Sequence, residues 1–118
     1  MEQKLHPVLS IRLFTDRKCF GPGVAELLRR VDERHSLRAA AQSMEMAYSK
    51  AWTITKSAEE GLGIKLLLST TGGKGGGGAT LTNEARQLLE AYDHYCEKLR
   101  AYGDKLFDEE FAFYFELP

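Results

Sequence analysis

Ser36-Leu37-Arg38-Ala39-Ala40-Ala41-Gln42-Ser43-Met44-Glu45-Met46-Ala47-Tyr48-Ser49-Lys50-Ala51-Trp52 is the stretch whose reading decides the fold. Ser36 has the chemistry of a helix N-cap, a short side-chain oxygen that accepts from amides two or three residues on. It opens a very short helix, Leu37 to Gln42. Ala39 and Ala40 leave the contact face of that helix without bulk, so a second helix can cross it closely. Ser43-Met44-Glu45-Met46 is the break. A longer helix follows from about Ala47 to Gly61, with Ala51, Thr55, Ala58 and then Leu62 spaced as a buried stripe. Short helix, tight turn, longer helix over 36–61 is the helix-turn-helix pattern.

Downstream, Ile64-Lys65-Leu66-Leu67-Leu68 is short and apolar and predicts a strand, with Ala79-Thr80-Leu81 as its partner. The glycine-rich segment between them is too long for a two-residue hairpin turn. A hairpin over 64–81 directly after a helix-turn-helix is a wing. Upstream, the alternation in Val8-Leu9-Ser10-Ile11-Arg12-Leu13-Phe14 and a return at Cys19-Phe20 predict N-terminal strands over 8–20. Pro22 suits a helix start, and Val24, Leu27, Leu28 and Val31 place a first amphipathic helix over 22–34.

Thr82 caps a long last helix over 82–108. Ala85, Tyr92, Leu99 and Leu106 recur every seven residues, with Leu88/Leu89, Tyr95/Cys96 and Tyr102 at the alternating positions. Such a seam calls for a partner helix. At 1.5 Å per residue the helix is on the order of 36 Å long, more than a small domain covers alone. Leu88, Tyr92, Tyr95, Leu99, Tyr102 and Leu106 are therefore the expected dimer interface. An acidic and aromatic tail, 109–118, contains Phe111-Ala112-Phe113-Tyr114-Phe115. Four exposed aromatics would be a liability, so the tail either packs on the body or a partner subunit, or docks another protein.

A chain of 118 residues, 43% hydrophobic and 28% charged, is expected to form one soluble globular domain. No apolar run approaches the roughly 20 residues of a membrane span, and Met1-Glu2-Gln3-Lys4-Leu5-His6 has no signal-peptide pattern. Cys19 and Cys96 are expected as reduced thiols, and the expected location is the cytoplasm without membrane association. The net charge of −1 is unevenly spread. Residues 1–100 carry 15 Lys and Arg against 12 Asp and Glu, whereas residues 101–118 carry one Lys against five acids. The body is mildly basic.

Tyr48, Ser49, Thr53 and Lys56 recur at helical spacing on the longer helix and are candidates to enter a DNA groove. Ser49 and Thr53 can bond several bases. Arg38 and Lys50 are candidate phosphate contacts. The same residues read equally as the solvated face of a surface helix. Trp52, next to Ala51, reads as a core anchor more than a base contact. In the glycine loop, Gly72, Gly73, Gly75 and Gly76 would allow close backbone approach to DNA, with Lys74 supplying charge; a mobile linker is the alternative. A nucleotide-binding loop fails, because Gly75 rather than Ser or Thr follows Lys74. His6, His35 and His94 fall into no His-His metal-ligand motif, and the two cysteines form no CxxC pair. Glu59-Glu60 and Asp108-Glu109-Glu110 read as solvated charges. No catalytic residue, metal site or cofactor is expected, and no enzyme.

Ser36-Leu37-Arg38-Ala39-Ala40-Ala41 resembles the first half of the helix-turn-helix shared by ModE-type (molybdate-responsive) and LysR-type regulators. Tyr48-Ser49-Lys50-Ala51-Trp52 resembles the ModE-type recognition helix, and Thr71-Gly72-Gly73-Lys74-Gly75-Gly76-Gly77-Gly78-Ala79-Thr80-Leu81-Thr82 resembles that family's wing. The resemblance covers roughly Leu9 to Leu106. It implies a mainly α protein with small β: a winged helix-turn-helix with an N-terminal strand or hairpin and a long C-terminal dimerisation helix. The implied function is transcription regulation linked to molybdate transport, by a homodimer that binds double-stranded DNA at a palindromic site. The family's oxyanion-binding domains fall beyond the part that this sequence resembles, so no molybdate is expected in this chain. Three positions depart from the family pattern. Glu45 stands where the turn usually has Gly, Ala47 where a Ser caps the recognition helix, and Leu68-Ser69-Thr70-Thr71 lacks the basic residues of the wing stem. These departures and the charge balance favour an alternative, a diverged winged-helix module that binds a protein partner and DNA weakly or not at all.

Overall fold

Small side chains set the distances between the first three helices, α1 (Pro22–Arg34), α2 (Leu37–Ser43) and α3 (Tyr48–Leu62). Ala25, Ala40, Ala41, Ala51 and Ala58 are all buried where these helices meet, so the backbones approach closely and ridges fit into grooves. The computed structural model describes residues 4–70 and 77–118. Phe20, Leu27, Leu28, Val31 and Leu66 fill the space around the alanines. Ser36 caps α2 as its chemistry predicts, its hydroxyl accepting from the Ala39 amide at 3.0 Å.

Two antiparallel strand pairs complete the fold, β1 (Leu13–Phe14) with β2 (Lys18–Phe20), and β3 (Leu67–Thr70) with β4 (Gly78–Leu81). The second pair starts later than the expected Ile64, because Leu66 is spent as a core side chain with no exposure. Strand β4 docks on the corner between α1 and α2: the Ala79 amide donates to the His35 carbonyl at 3.0 Å. Glycine is required there. A Cβ on Gly78 would lie 2.7 Å from the His35 carbonyl oxygen and 2.6 Å from the Thr70 hydroxyl.

The N-terminal strand expected over 8–20 is much shorter. Before Leu13 the chain runs along α4 (Asn83–Glu110) instead of pairing. The Tyr92 hydroxyl donates to the Ile11 carbonyl at 2.6 Å, and the Leu9 side chain lies 3.1 Å from where a Cβ on Gly103 would stand. Burial, with a hydrogen bond from the Cys96 side, pushes the Tyr92 phenol up to about 12, so it remains a donor.

Thr82 caps α4 by accepting from the Ala85 amide at 3.0 Å, and the helix runs two residues beyond the expected 108. Its inward face carries buried Ala85, Tyr92 and Cys96 and half-buried Leu88 and Leu89. Two residues expected at a dimer seam are thus committed within the chain. Tyr92 is 5% exposed, with its ring 5.0 Å from Phe20 in an edge contact, and Leu88 packs against the same core. Leu99 is half-buried, and Tyr95, Tyr102 and Leu106 are exposed. Ion pairs of Arg29 with Asp93 and Arg86 with Asp32 tie α4 to α1. The distal half projects: the radius of gyration is 18.4 Å, against roughly 13–14 Å for a compact chain of this size. Within the tail, α5 (Ala112–Phe115) turns back on α4's last turns, where Phe107 stacks on Phe111 at 5.0 Å. Among the described residues no helix is long and apolar enough to cross a membrane.

The turn between α2 and α3 is strained where the family pattern has glycine: Glu45 holds φ at 54°. A side chain costs about 1 kcal/mol in that left-handed region. Glu45→Gly should therefore raise stability by about 1 kcal/mol in urea denaturation; an unchanged or lower value would show that the Glu45 side chain makes a compensating contact.

Candidate nucleic-acid interface

Helix α3 turns about 100° per residue, and its buried stripe of Ala51, Thr55 and Ala58 fixes which way every other side chain faces. Thr55 satisfies its hydroxyl inside the helix by donating to the Ala51 carbonyl at 2.9 Å. The opposite ridge carries Ser49, Thr53 and Lys56, the spacing expected from the sequence; Ser49 and Thr53 are exposed and Lys56 half-exposed. Glu60, next along that ridge, pairs with Arg17 at 3.6 Å.

Between α3, the start of α2 and the β3–β4 hairpin lies a groove of about 580 Å3. Arg38, Tyr48, Trp52, Lys56 and Lys65 line it, with Glu59 at its base. The Arg38 guanidinium sits 4.3 Å above the Tyr48 ring, and the Lys56 ammonium 5.6 Å from the centre of Trp52. Such contacts orient a cation without neutralising it.

Glu59 is not the solvated charge that its sequence context suggests. Its carboxylate accepts from the Leu66 amide at 2.7 Å and the Leu67 amide at 3.3 Å, and Lys56 approaches at 3.3 Å. Burial alone would push this carboxyl up; the two backbone donors and the Lys56 ammonium outweigh it and hold the group below its usual range. The one acid in the groove is therefore occupied by protein donors, while Arg38 and Lys65 make no ion pair among the described residues. The N-terminus of α3 is also open: Ala47 offers no side-chain cap and the first turn holds no acid, so the positive end of the helix dipole is uncompensated from within.

Arg38, Tyr48 and Lys56 thus converge on the groove, and Ser49 and Thr53 stand on the ridge beside it. Lys50 is exposed but lines no cleft with them. Lys74, Gly72, Gly73, Gly75 and Gly76 lie outside the described residues. Trp52, expected in the core, is 49% exposed, because one step on from Ala51 rotates it off the buried stripe. Its spacing from Tyr48 and Lys56, four residues either way, is the signal that marks it as a surface residue. Lys65 had no such signal; its place follows from the hairpin's packing.

No family model matches the chain. It is 35% identical over 72 residues to the transcriptional regulator ModE of Haemophilus influenzae, covering 61% of this chain and 28% of that protein. Over 102 residues it is 29% identical to the DNA-binding transcriptional dual regulator ModE of Escherichia coli K12, covering 86% of this chain and 37% of the relative. The chain is similar over these residues to ModE transcriptional regulators. A third relative, the molybdenum transport protein ModE of Herbaspirillum seropedicae, is 36% identical over 66 residues, 56% of this chain and 24% of its own length. The chain thus spans between about a quarter and somewhat more than a third of the ModE proteins that it matches. These relatives carry the names of regulators and a transport protein rather than of enzymes. Glu45 and Ala47 stand close together: the first is strained and exposed, and the second leaves the helix after it uncapped.

Because Glu59's carboxyl titrates lower in the folded chain than in the unfolded one, it stabilises the fold above pH about 4.5 and loses that contribution as pH falls through the depressed value. Glu59→Gln should flatten the decline of stability with acid in urea titrations below pH 5. A variant as acid-sensitive as the parent would show that the amides of Leu66 and Leu67 are satisfied in another way.

Proposed function

We propose that this chain binds double-stranded DNA as a sequence-specific transcription regulator. The observation that carries the reading is the exposed Ser49-Thr53 ridge beside a groove in which Glu59 is paired by Lys56, while Arg38 and Lys65 make no ion pair among the described residues. A helix with its side chains is roughly 10–12 Å across and the major groove about 12 Å wide, so a ridge of this kind fits the groove while its flank meets phosphate. In this reading α2 and α3 act as the helix-turn-helix and the β3–β4 hairpin as the wing. Ser49 and Thr53 reach base edges, and Trp52 offers an apolar face to a thymine methyl or a deoxyribose. Arg38, Lys50, Lys56 and Lys65 neutralise phosphates. The ModE names of its relatives agree with DNA binding and with regulation linked to molybdenum.

A homodimer on a palindromic site completes the proposal, with α4 as the dimerisation helix. Tyr95, Leu99, Tyr102 and Leu106 form the seam, since Tyr92 and Leu88 serve the chain's own core. A fully buried Leu gains roughly 1.5–3 kcal/mol, and a two-fold pair sets two α3 helices on one side of the duplex. The alternative, a protein-interaction module, is favoured by the charge balance and Glu45 and also by the tail, where Phe111, Phe113, Tyr114 and Phe115 are all 43–60% exposed.

Two experiments separate these readings. Binding to mixed-sequence duplex, followed by fluorescence anisotropy, should weaken steeply with salt, and Arg38→Gln should lower the log–log slope by about 0.9; binding to no duplex would favour the interaction module. In sedimentation at tens of micromolar the parent should be a dimer and Leu106→Asp a folded monomer with much weaker DNA binding. A monomeric parent would make α4 an internal stripe only.

A further inference from the structure

A second cleft, of about 590 Å3, flanks α3 on the side away from the hairpin groove. Thr53, Ile54, Ser57 and Ala58 form its α3 wall, whereas Tyr48, Trp52, Lys56 and Glu59 face the first groove. At about 100° per residue the two sets point to opposite sides of the ridge that carries Ser49 and Thr53. The far wall is built by the N-terminal segment and β2, which contribute Arg12 and Lys18, and by the first turn of α1.

The charge of this cleft is one-sided. No acidic residue lines it. Arg12 bonds only the neutral Ser10 hydroxyl, at 2.9 Å, and neither Arg12 nor Lys18 is in an ion pair among the described residues, whereas nearby Arg17 is engaged by Asp16 and Glu60. Ser10, Thr53 and Ser57 add neutral donors. At Gly23 a Cβ would meet nothing within 4 Å, so the α1 backbone is open to an approaching group. The fold holds Arg12 in place from behind, since the next carbonyl, that of Ile11, is fixed by Tyr92.

Resting on the DNA-binding reading above, we propose that this cleft is a second backbone clamp. With α3 in the major groove, one phosphate strand passes along the hairpin groove, and the other crosses the cleft, where Arg12 and Lys18 neutralise it. The N-terminal segment and hairpin are thereby a contact element in their own right, opposite the wing. The geometry follows from the similar widths of helix and groove: a helix that fills the major groove has a phosphate strand at each of its sides. A protein that gripped only the wing side would leave two cations of the opposite cleft facing a polyanion without contact.

The test is the salt dependence of full-chain binding to mixed-sequence duplex DNA between about 50 and 200 mM salt, where each neutralised phosphate adds about 0.9 to the slope. Arg12→Gln with Lys18→Gln should lower the slope by about 1.8, and Arg12→Lys with Lys18→Arg should keep it. Lys105→Gln, on the distal part of α4, should leave it unchanged. Thermal melting of each variant checks that the fold is retained. A double variant that binds with the parent's slope overturns the clamp while leaving the DNA reading intact. A parent that binds no duplex overturns both.

Discussion

The carboxylate of Glu59 joins α3 to the β3–β4 hairpin, and the groove between them exists because of it. Leu66 and Leu67 leave α3 by way of a glycine turn, Gly63 at φ 72°, and their amides would be unsatisfied in that corner without an acceptor. Glu59 supplies it, three residues before the helix ends. The hairpin is then held at two further points. The Thr82 hydroxyl donates to the Lys65 carbonyl, and the Ala79 amide to the His35 carbonyl. The angle between helix and hairpin is therefore set by the Glu59 carboxylate, the Thr82 hydroxyl and one backbone bond, which leaves Arg38 and Lys65 in the groove free to carry charge for another purpose.

The remainder of the molecule divides by how far its apolar surface can be covered within one chain. Near the body, α4 is covered by Phe20, the N-terminal segment and α1, and it is buried there down to Cys96. Farther out, Leu9 approaches it at Gly103 and α5 turns back on its last turns, while Tyr95, Tyr102 and Leu106 stand exposed. That gradient of cover along one helix is the physical ground for the proposed dimer. It also explains why the seven-residue seam changes role along the helix: its first turns lie against the body and serve the chain's own core, and its later ones, beyond the body, stay open.

Much of the fold was legible because its signals are local. Pro22, Ser36 and Thr82 mark helix starts where the structure has them, and the buried stripe Ala51, Thr55, Ala58 is the expected one. The errors concern partners distant in sequence. Alternation in 8–14 predicts a strand, but Tyr92, eighty-one residues on, takes the Ile11 carbonyl. Glu59 and Glu60 are neighbours of identical chemistry, and only the packing of the hairpin distinguishes the buried one from the surface one. Trp52 was misplaced for a different reason: a large aromatic next to a buried alanine suggests burial by residue type, while the helix period assigns it to the surface. Arg12 and Lys18 lie 31 or more positions before the ridge of α3 that they flank, and nothing local connects them to it.

The central claim, that the surface around the α3 ridge meets DNA, is tested most directly by mapping which backbone amides respond when mixed-sequence duplex is added to the isotopically labelled chain in two-dimensional NMR. The account predicts that shifts cluster at Arg38, at Tyr48 through Ser57, at Lys65 and at the N-terminal hairpin, leaving the tail beyond Asp108 unaltered. Shifts confined to the distal part of α4 and the aromatic tail, or none at all, would contradict it.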